Sequence, residues 1–122
     1  MQGLRFGSVS SNLPIVSSPA AADDAFDALG DPTRRHVFRL LRGGELSVGA
    51  IAAQLPVSRP AVSQHLRVLK EAELVTDRAE GVRRLYSLRR TGLAAMRAEI
   101  EAYWDDVLTT FAAVADEGRS PT

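Results

Sequence analysis

The sequence predicts a mainly α-helical single domain that carries one small β-hairpin and ends in a long helix. Three observations carry that reading. Short stretches with apolar residues at helical spacing alternate with Gly, Pro and N-capping residues. Two consecutive pieces of strand length flank a Glu80-Gly81 turn. From Thr91 to Asp116 the only helix breaker is Gly92, in the first turn, so nothing in the sequence stops that helix early. At 122 residues, 45% hydrophobic and 25% charged, the chain suits one small globular unit.

Taken in order, residues 1–22 hold five Ser, two Pro, two Gly and one charge without any apolar period, and read as a loosely docked or disordered tail. Domain structure is expected over 23–117, with 118–122 a second tail. In the first helix Phe26 and Leu29 share the apolar side and Gly30 ends it. Asp31-Pro32 restarts the chain, an N-capping carboxylate followed by proline at the first helical position. Val37, Phe38, Leu40 and Leu41 face inward on this second helix, which Gly43-Gly44 stop. Ser47 caps a third helix whose Val48, Ile51, Ala52 and Leu55 form one stripe, and Pro56 interrupts it. Ser58 caps a fourth, over 58–72, in which Val62, Leu66 and Leu69 share a face. Two short amphipathic helices joined by about three residues make a helix-turn-helix. Val75–Ala79 and Val82–Leu88 then form a hairpin, a wing on that motif. In the last helix Leu93, Met96, Ile100, Tyr103, Val107, Phe111 and Val114 alternate spacings of three and four. It would run ~39 Å, too long for so small a core to cover. That excess predicts a homodimer.

Composition excludes several function classes. Cysteine is absent, which removes disulfides, thiolate metal sites and cysteine nucleophiles. The longest apolar run, Phe111 to Ala115, is far short of the ~20 residues of a membrane span. Gly, Asn and Pro interrupt the first residues, so no secretory leader is expected and the default location is cytoplasmic. With no Gly-rich phosphate loop and only two histidines, His36 and His65, on different helices, catalysis is not expected. The formal charge is zero, yet it is segregated: −2 over residues 1–30, +6 over 31–90 and −4 over 91–122. A basic middle between acidic ends concentrates positive field on the helix-turn-helix and wing.

The fourth helix sorts by angle at 100° per residue. Val62, His65, Leu66 and Leu69 cluster within about 100° of one another, while Pro60, Ser63, Gln64, Arg67 and Glu71 lie opposite, with Arg59 on the flank. Arg can bond guanine and Gln adenine in a bidentate way, and Ser can meet bases or phosphates. Ser58, Arg59, Ser63, Gln64 and Arg67 are therefore candidate DNA contacts, joined by Arg78, Arg83 and Arg84 on the wing. His65 fits a packed structural role. Arg34 and Arg35 suit either helix-surface pairing or phosphate, and Glu99, Glu101, Asp105 and Asp106 suit a solvated acidic face. Tyr103, Trp104 and Phe111 suit dimer packing, with an inducer pocket between subunits as the other reading.

With VSRPAVSQHLRVLKEAELV (Val57–Val75), LGDPTRRHVFRLL before it and GVRRLYSL after it, the chain resembles the ArsR-like winged helix-turn-helix transcriptional repressors over roughly residues 24–90. The resemblance implies a homodimer on a palindromic operator in double-stranded DNA. Helix 58–72 would enter the major groove, the wing 78–84 would reach the neighbouring backbone or minor groove, and the first and last helices would form the dimer. Two departures are visible. Metal-sensing members carry Cys-Val-Cys entering the third helix, where this chain has Ser47 and Gly49, and the last helix lacks the histidines of a second known site; no metal and no cofactor are expected. The family's usual glycine after the recognition helix is Glu73 here. The other class the sequence leaves open is a winged-helix protein-interaction module that never binds DNA.

Overall fold

The computed structural model describes residues 19–118. Its order is α1 (Pro19–Ala28), α2 (Pro32–Leu40), a 3-10 turn over Leu41–Gly43, β1 (Leu46–Ser47), α3 (Val48–Ala52), α4 (Arg59–Glu71), β2 (Val75–Glu80), β3 (Arg83–Leu88) and α5 (Arg90–Gly118). This is a winged helix-turn-helix with a long C-terminal helix. Each expected cap is in place. The Asp31 carboxylate accepts from the Arg34 N–H at 3.0 Å, Ser47 Oγ from Ala50 N–H at 3.1 Å and Ser58 Oγ from Ala61 N–H at 3.2 Å. Each bond satisfies one of the donors that a helix start leaves unpaired.

Several boundaries differ from the sequence reading, each for a physical reason. Helix α1 begins at Pro19, inside the stretch expected to be a tail, because it buries Ala22, Ala25 and Ala28 rather than its larger side chains. Phe26 and Leu29 are only half-buried. Alanines at this spacing let α1 lie close against α5, where Ala95 is also buried. Residues 1–18 and 119–122 of the expected tails lie outside the described residues. Helix α3 closes at Ala52, although Leu55 still reaches the core from the following turn. The hairpin is part of a three-stranded antiparallel sheet ordered β1-β3-β2, because Leu46 and Ser47 pair with Tyr86 and Leu85. Val82, expected in a strand, sits fully exposed at the hairpin tip beside Gly81, whose φ is 64°.

Ile51, Leu66, Leu69, Leu74, Val37, Val62 and Val75 are the largest fully buried side chains, so the core lies between the helix-turn-helix, α2 and the base of the sheet. The exit from α4 is a strained joint. Glu73 takes φ 60°, a left-handed conformation disfavoured by about 1 kcal/mol for a residue with a Cβ. Its carbonyl accepts from the Gly92 N–H at 2.9 Å. A Cβ on Gly92 would stand 2.6 Å from the Ala72 carbonyl oxygen, so a glycine there is what lets α5 start against this turn.

Candidate nucleic-acid interface

Helix α4 is held by one face and open on the other. Val62, Leu66 and Leu69 are buried, while Arg59, Pro60, Ser63, Gln64, Arg67 and Glu71 are exposed, as the angular sorting of the sequence requires. The Arg67 Nη2 donates to Gln64 Oε1 at 3.0 Å, so these two side chains form one polar unit across a helical turn. Ser58 spends its acceptor oxygen on the cap and keeps its O–H to donate. Arg59 folds over the start of α3. A Cβ on Gly49 would fall 2.5 Å from its Nη2 and 3.1 Å from its Cζ, so the missing side chain at Gly49 makes room for the guanidinium. Among the described residues no carboxylate pairs with Arg59 or Arg67.

The wing arginines are differently placed. Arg78 makes a two-pronged pair with Glu45, both bonds 2.8 Å, and also approaches Glu80 at 3.5 Å. Arg83 pairs with Glu80 at 3.1 Å. Arg84 donates its Nε to Asp77 Oδ2 at 2.6 Å, and the other oxygen of Asp77 takes the Lys70 ammonium at 2.8 Å. The wing is therefore a lattice of ion pairs rather than a bare basic surface. These bonds hold the Glu45 and Asp77 carboxyls below their ordinary range. The causes are hydrogen bonds from Arg78 to Glu45, and from Lys70 and then Arg84 to Asp77. Asp77 pushes the Arg84 guanidinium up in turn.

Sequence reasoning missed Glu45, Gly49, Lys70 and Asp77. Counting back from the Gly81 turn would have found Asp77, because Arg84 faces Ala79 and Asp77 is then its diagonal neighbour. Nothing in the spacing signals the Glu45–Arg78 pair, which reaches across β3 from the start of the unexpected strand β1 to β2. Arg34 and Arg35, left open by the sequence, both serve the end of α1: their Nε atoms donate to the Ala28 and Leu29 carbonyls at 2.6 and 2.8 Å. Arg34 also sets its Nη1 3.4 Å from the half-buried His65 ring.

The metal-sensing position of the resembling family has no donor set here. Ser47 Oγ is occupied as the α3 cap, and Gly49 has no side chain. Among the described residues no group of three or more His, Cys, Asp or Glu could hold a metal ion. No helix of the described residues is long and apolar enough to cross a membrane.

A sequence family described as a helix-turn-helix domain matches residues 29–78. An HTH-type transcriptional regulator of Mycobacterium tuberculosis is 50% identical over 107 residues, 88% of this chain and 100% of its own length. A structure described as a possible transcriptional regulator for arsenical resistance is 47% identical with a TM-score of 0.63, over 74% of this chain and 94% of its own. The chain belongs to the ArsR-like winged helix-turn-helix family of transcriptional regulators. The transcriptional repressor SdpR of Bacillus subtilis is 42% identical over 71 residues, 58% of this chain and 79% of its own. Among solved structures, an ArsR-like transcriptional regulator from Rhodococcus superposes with a TM-score of 0.73 at 26% identity, covering 88% of this chain and all of its own. The ArsR-like chain is thus a DNA-binding regulator and not an enzyme.

Proposed function

We propose that this ArsR-like regulator is a cytoplasmic homodimeric repressor that occupies a palindromic operator, with α4 in the major groove and the wing on the adjacent backbone. The observation that carries the reading is α4 itself. Its apolar face is locked into the core while Arg59, Ser63, Gln64 and Arg67 stand exposed on the remaining surface, and among the described residues no carboxylate pairs with either arginine. Those are the side chains that read base edges. Arg78 and Arg83 supply phosphate contacts by exchanging exposed carboxylates for phosphate.

The dimer half of the proposal rests on α5. Ile100, Tyr103, Trp104, Val107, Leu108, Phe111 and Val114 are all exposed in the single chain, far more contiguous apolar surface than a monomer ordinarily shows to water. A second copy of the same helix is the partner that two-fold symmetry provides. Repression follows the name of the SdpR relative and the steric logic of a protein seated on a promoter.

The test is selection of duplexes from a random-sequence pool, then fluorescence anisotropy on the selected and a scrambled duplex. Arg59→Ala and Gln64→Ala should each cost ~1–3 kcal/mol on the selected duplex and much less on the scrambled one. Equal losses on both would put base readout elsewhere. No binding at low salt would return the chain to the protein-interaction reading.

A further inference from the structure

Four cations cluster around the wing, and the carboxylates holding them fall into two kinds. Glu80, paired with Arg83, has a side-chain exposure of 47%, and Glu45, paired with Arg78, one of 37%. Asp77, paired with Lys70 and Arg84, has 7%. This difference decides what happens when phosphate competes. An exposed carboxylate that loses its arginine is rehydrated at small cost, so its pair is easily exchanged. A carboxylate that the fold screens from water loses more when a partner leaves, because water replaces that partner less readily. Arg83, held by one exposed carboxylate, changes partners most easily; Arg78 gives up a two-pronged pair to do so, and Arg84 cannot do so cheaply.

Asp77 also joins three elements. It lies on β2, Arg84 lies on β3, and Lys70 is in the last turn of α4. The two bonds use different carboxylate oxygens, at 2.8 and 2.6 Å, so one oxygen holds the recognition helix and the other holds the second strand of the wing. The lowered carboxyl of Asp77 keeps that link charged through the neutral range.

Resting on the DNA-binding reading above, we propose that Asp77 is a positioning residue. It pins both wing strands to the end of the recognition helix, and it withholds Lys70 and Arg84 from DNA phosphate. Arg84 is then a strut, and the sequence-based expectation that it contacts DNA is replaced. The wing keeps a fixed direction relative to α4, and Arg78 and Arg83 carry its phosphate contacts.

The experiment uses the full chain, a duplex selected by it from a random-sequence pool, and a scrambled duplex of equal composition. Anisotropy across a salt series gives affinity and the slope of log K against log salt. Arg83→Gln should make the slope shallower by about one per protomer, and Arg84→Gln should leave it unchanged. Asp77→Asn keeps the side chain's shape but frees two cations that are 52% and 56% exposed. It should steepen the slope by about one to two per protomer and tighten binding to the scrambled duplex several-fold, narrowing the discrimination between the two. A role confined to stability would move the unfolding temperature and leave the slope alone. Arg84→Gln, on an exposed side chain, keeps the test intact if Asp77→Asn folds poorly. A slope made shallower by about one in Arg84→Gln, equal to that of Arg83→Gln, overturns this proposal while leaving DNA binding standing. Absence of binding to either duplex by the unmodified chain overturns both.

Discussion

Replacing Gly49 with alanine separates the fold from the interface. The added Cβ would stand 2.5 Å from Arg59 Nη2, 3.1 Å from Cζ and 3.7 Å from Nε. Ordinary contacts to a Cβ begin near 3.4 Å, so the guanidinium must move by roughly 1 Å, a misplacement that degrades bidentate geometry. The atoms in the way belong to the far end of an exposed, flexible side chain, so the backbone of α3 is not asked to shift. Gly49 is in the first turn of α3, where alanine is the better helix former by up to about 1 kcal/mol. Stability should therefore hold or rise, by at most ~4–8 °C in the unfolding temperature of a domain this size. Recognition should fall. If Arg59 reads a base from its place over α3, losing that contact costs ~1–3 kcal/mol, a fivefold to more than hundredfold weakening on the selected duplex and little change on a scrambled one. Thermal unfolding by circular dichroism and anisotropy on the two duplexes read both arms. A Gly49→Ala protein that is stable and binds its selected duplex unchanged refutes the link between the α3 glycine and Arg59 readout. One that unfolds several degrees lower refutes the claim that only a side chain is displaced.

At Gly92 the same change meets backbone. A Cβ there falls 2.6 and 2.9 Å from the Ala72 and Glu73 carbonyl oxygens, so Gly92→Ala should lose about 1–3 kcal/mol, seen in chemical denaturation as a lower midpoint with unchanged slope. Phe111, 70% exposed, should tolerate aspartate within one chain, so Phe111→Asp should convert a dimer to a monomer in light scattering while preserving the helical spectrum. Persistence of the dimer would move the interface off that end of α5. Acid should destabilise the fold through Asp31, Glu45 and Asp77, whose folded carboxyls titrate below their unfolded values of 3.8, 4.5 and 3.8. Their contribution is complete above the unfolded values and is lost as pH falls through the folded ones. Asp31→Asn should flatten part of the fall in unfolding temperature below pH ~4. Zn(II), Cd(II), Ni(II) and As(III) should leave affinity for the selected duplex within about threefold, and stoichiometric metal binding with DNA release would reveal a site among the carboxylates of α5.

The caps, the turn residues and the facing of α4 were legible in the sequence because each is set by local chemistry. Asp31-Pro32, Ser47 and Ser58 satisfy helix donors within three residues of themselves. The angle between Val62 and Gln64 follows from helical geometry once that helix exists. The burial of α1 was not legible, since three alanines carry no strong apolar signal and become core because α5 and α4 lie against them. Strand β1 is two residues long and has no pattern of its own; it exists because Tyr86 and Leu85 offer a free edge. The charge of the wing shows the same division most clearly. The sequence determined that Arg78, Arg83 and Arg84 sit on a hairpin after the recognition helix, but a count of charges treats all three alike. Tertiary structure gave Arg78 and Arg83 exposed partners and gave Arg84 one whose side chain is only 7% exposed. The exchangeability of an ion pair depends on the solvation of its carboxylate, and solvation is decided by what folds around it.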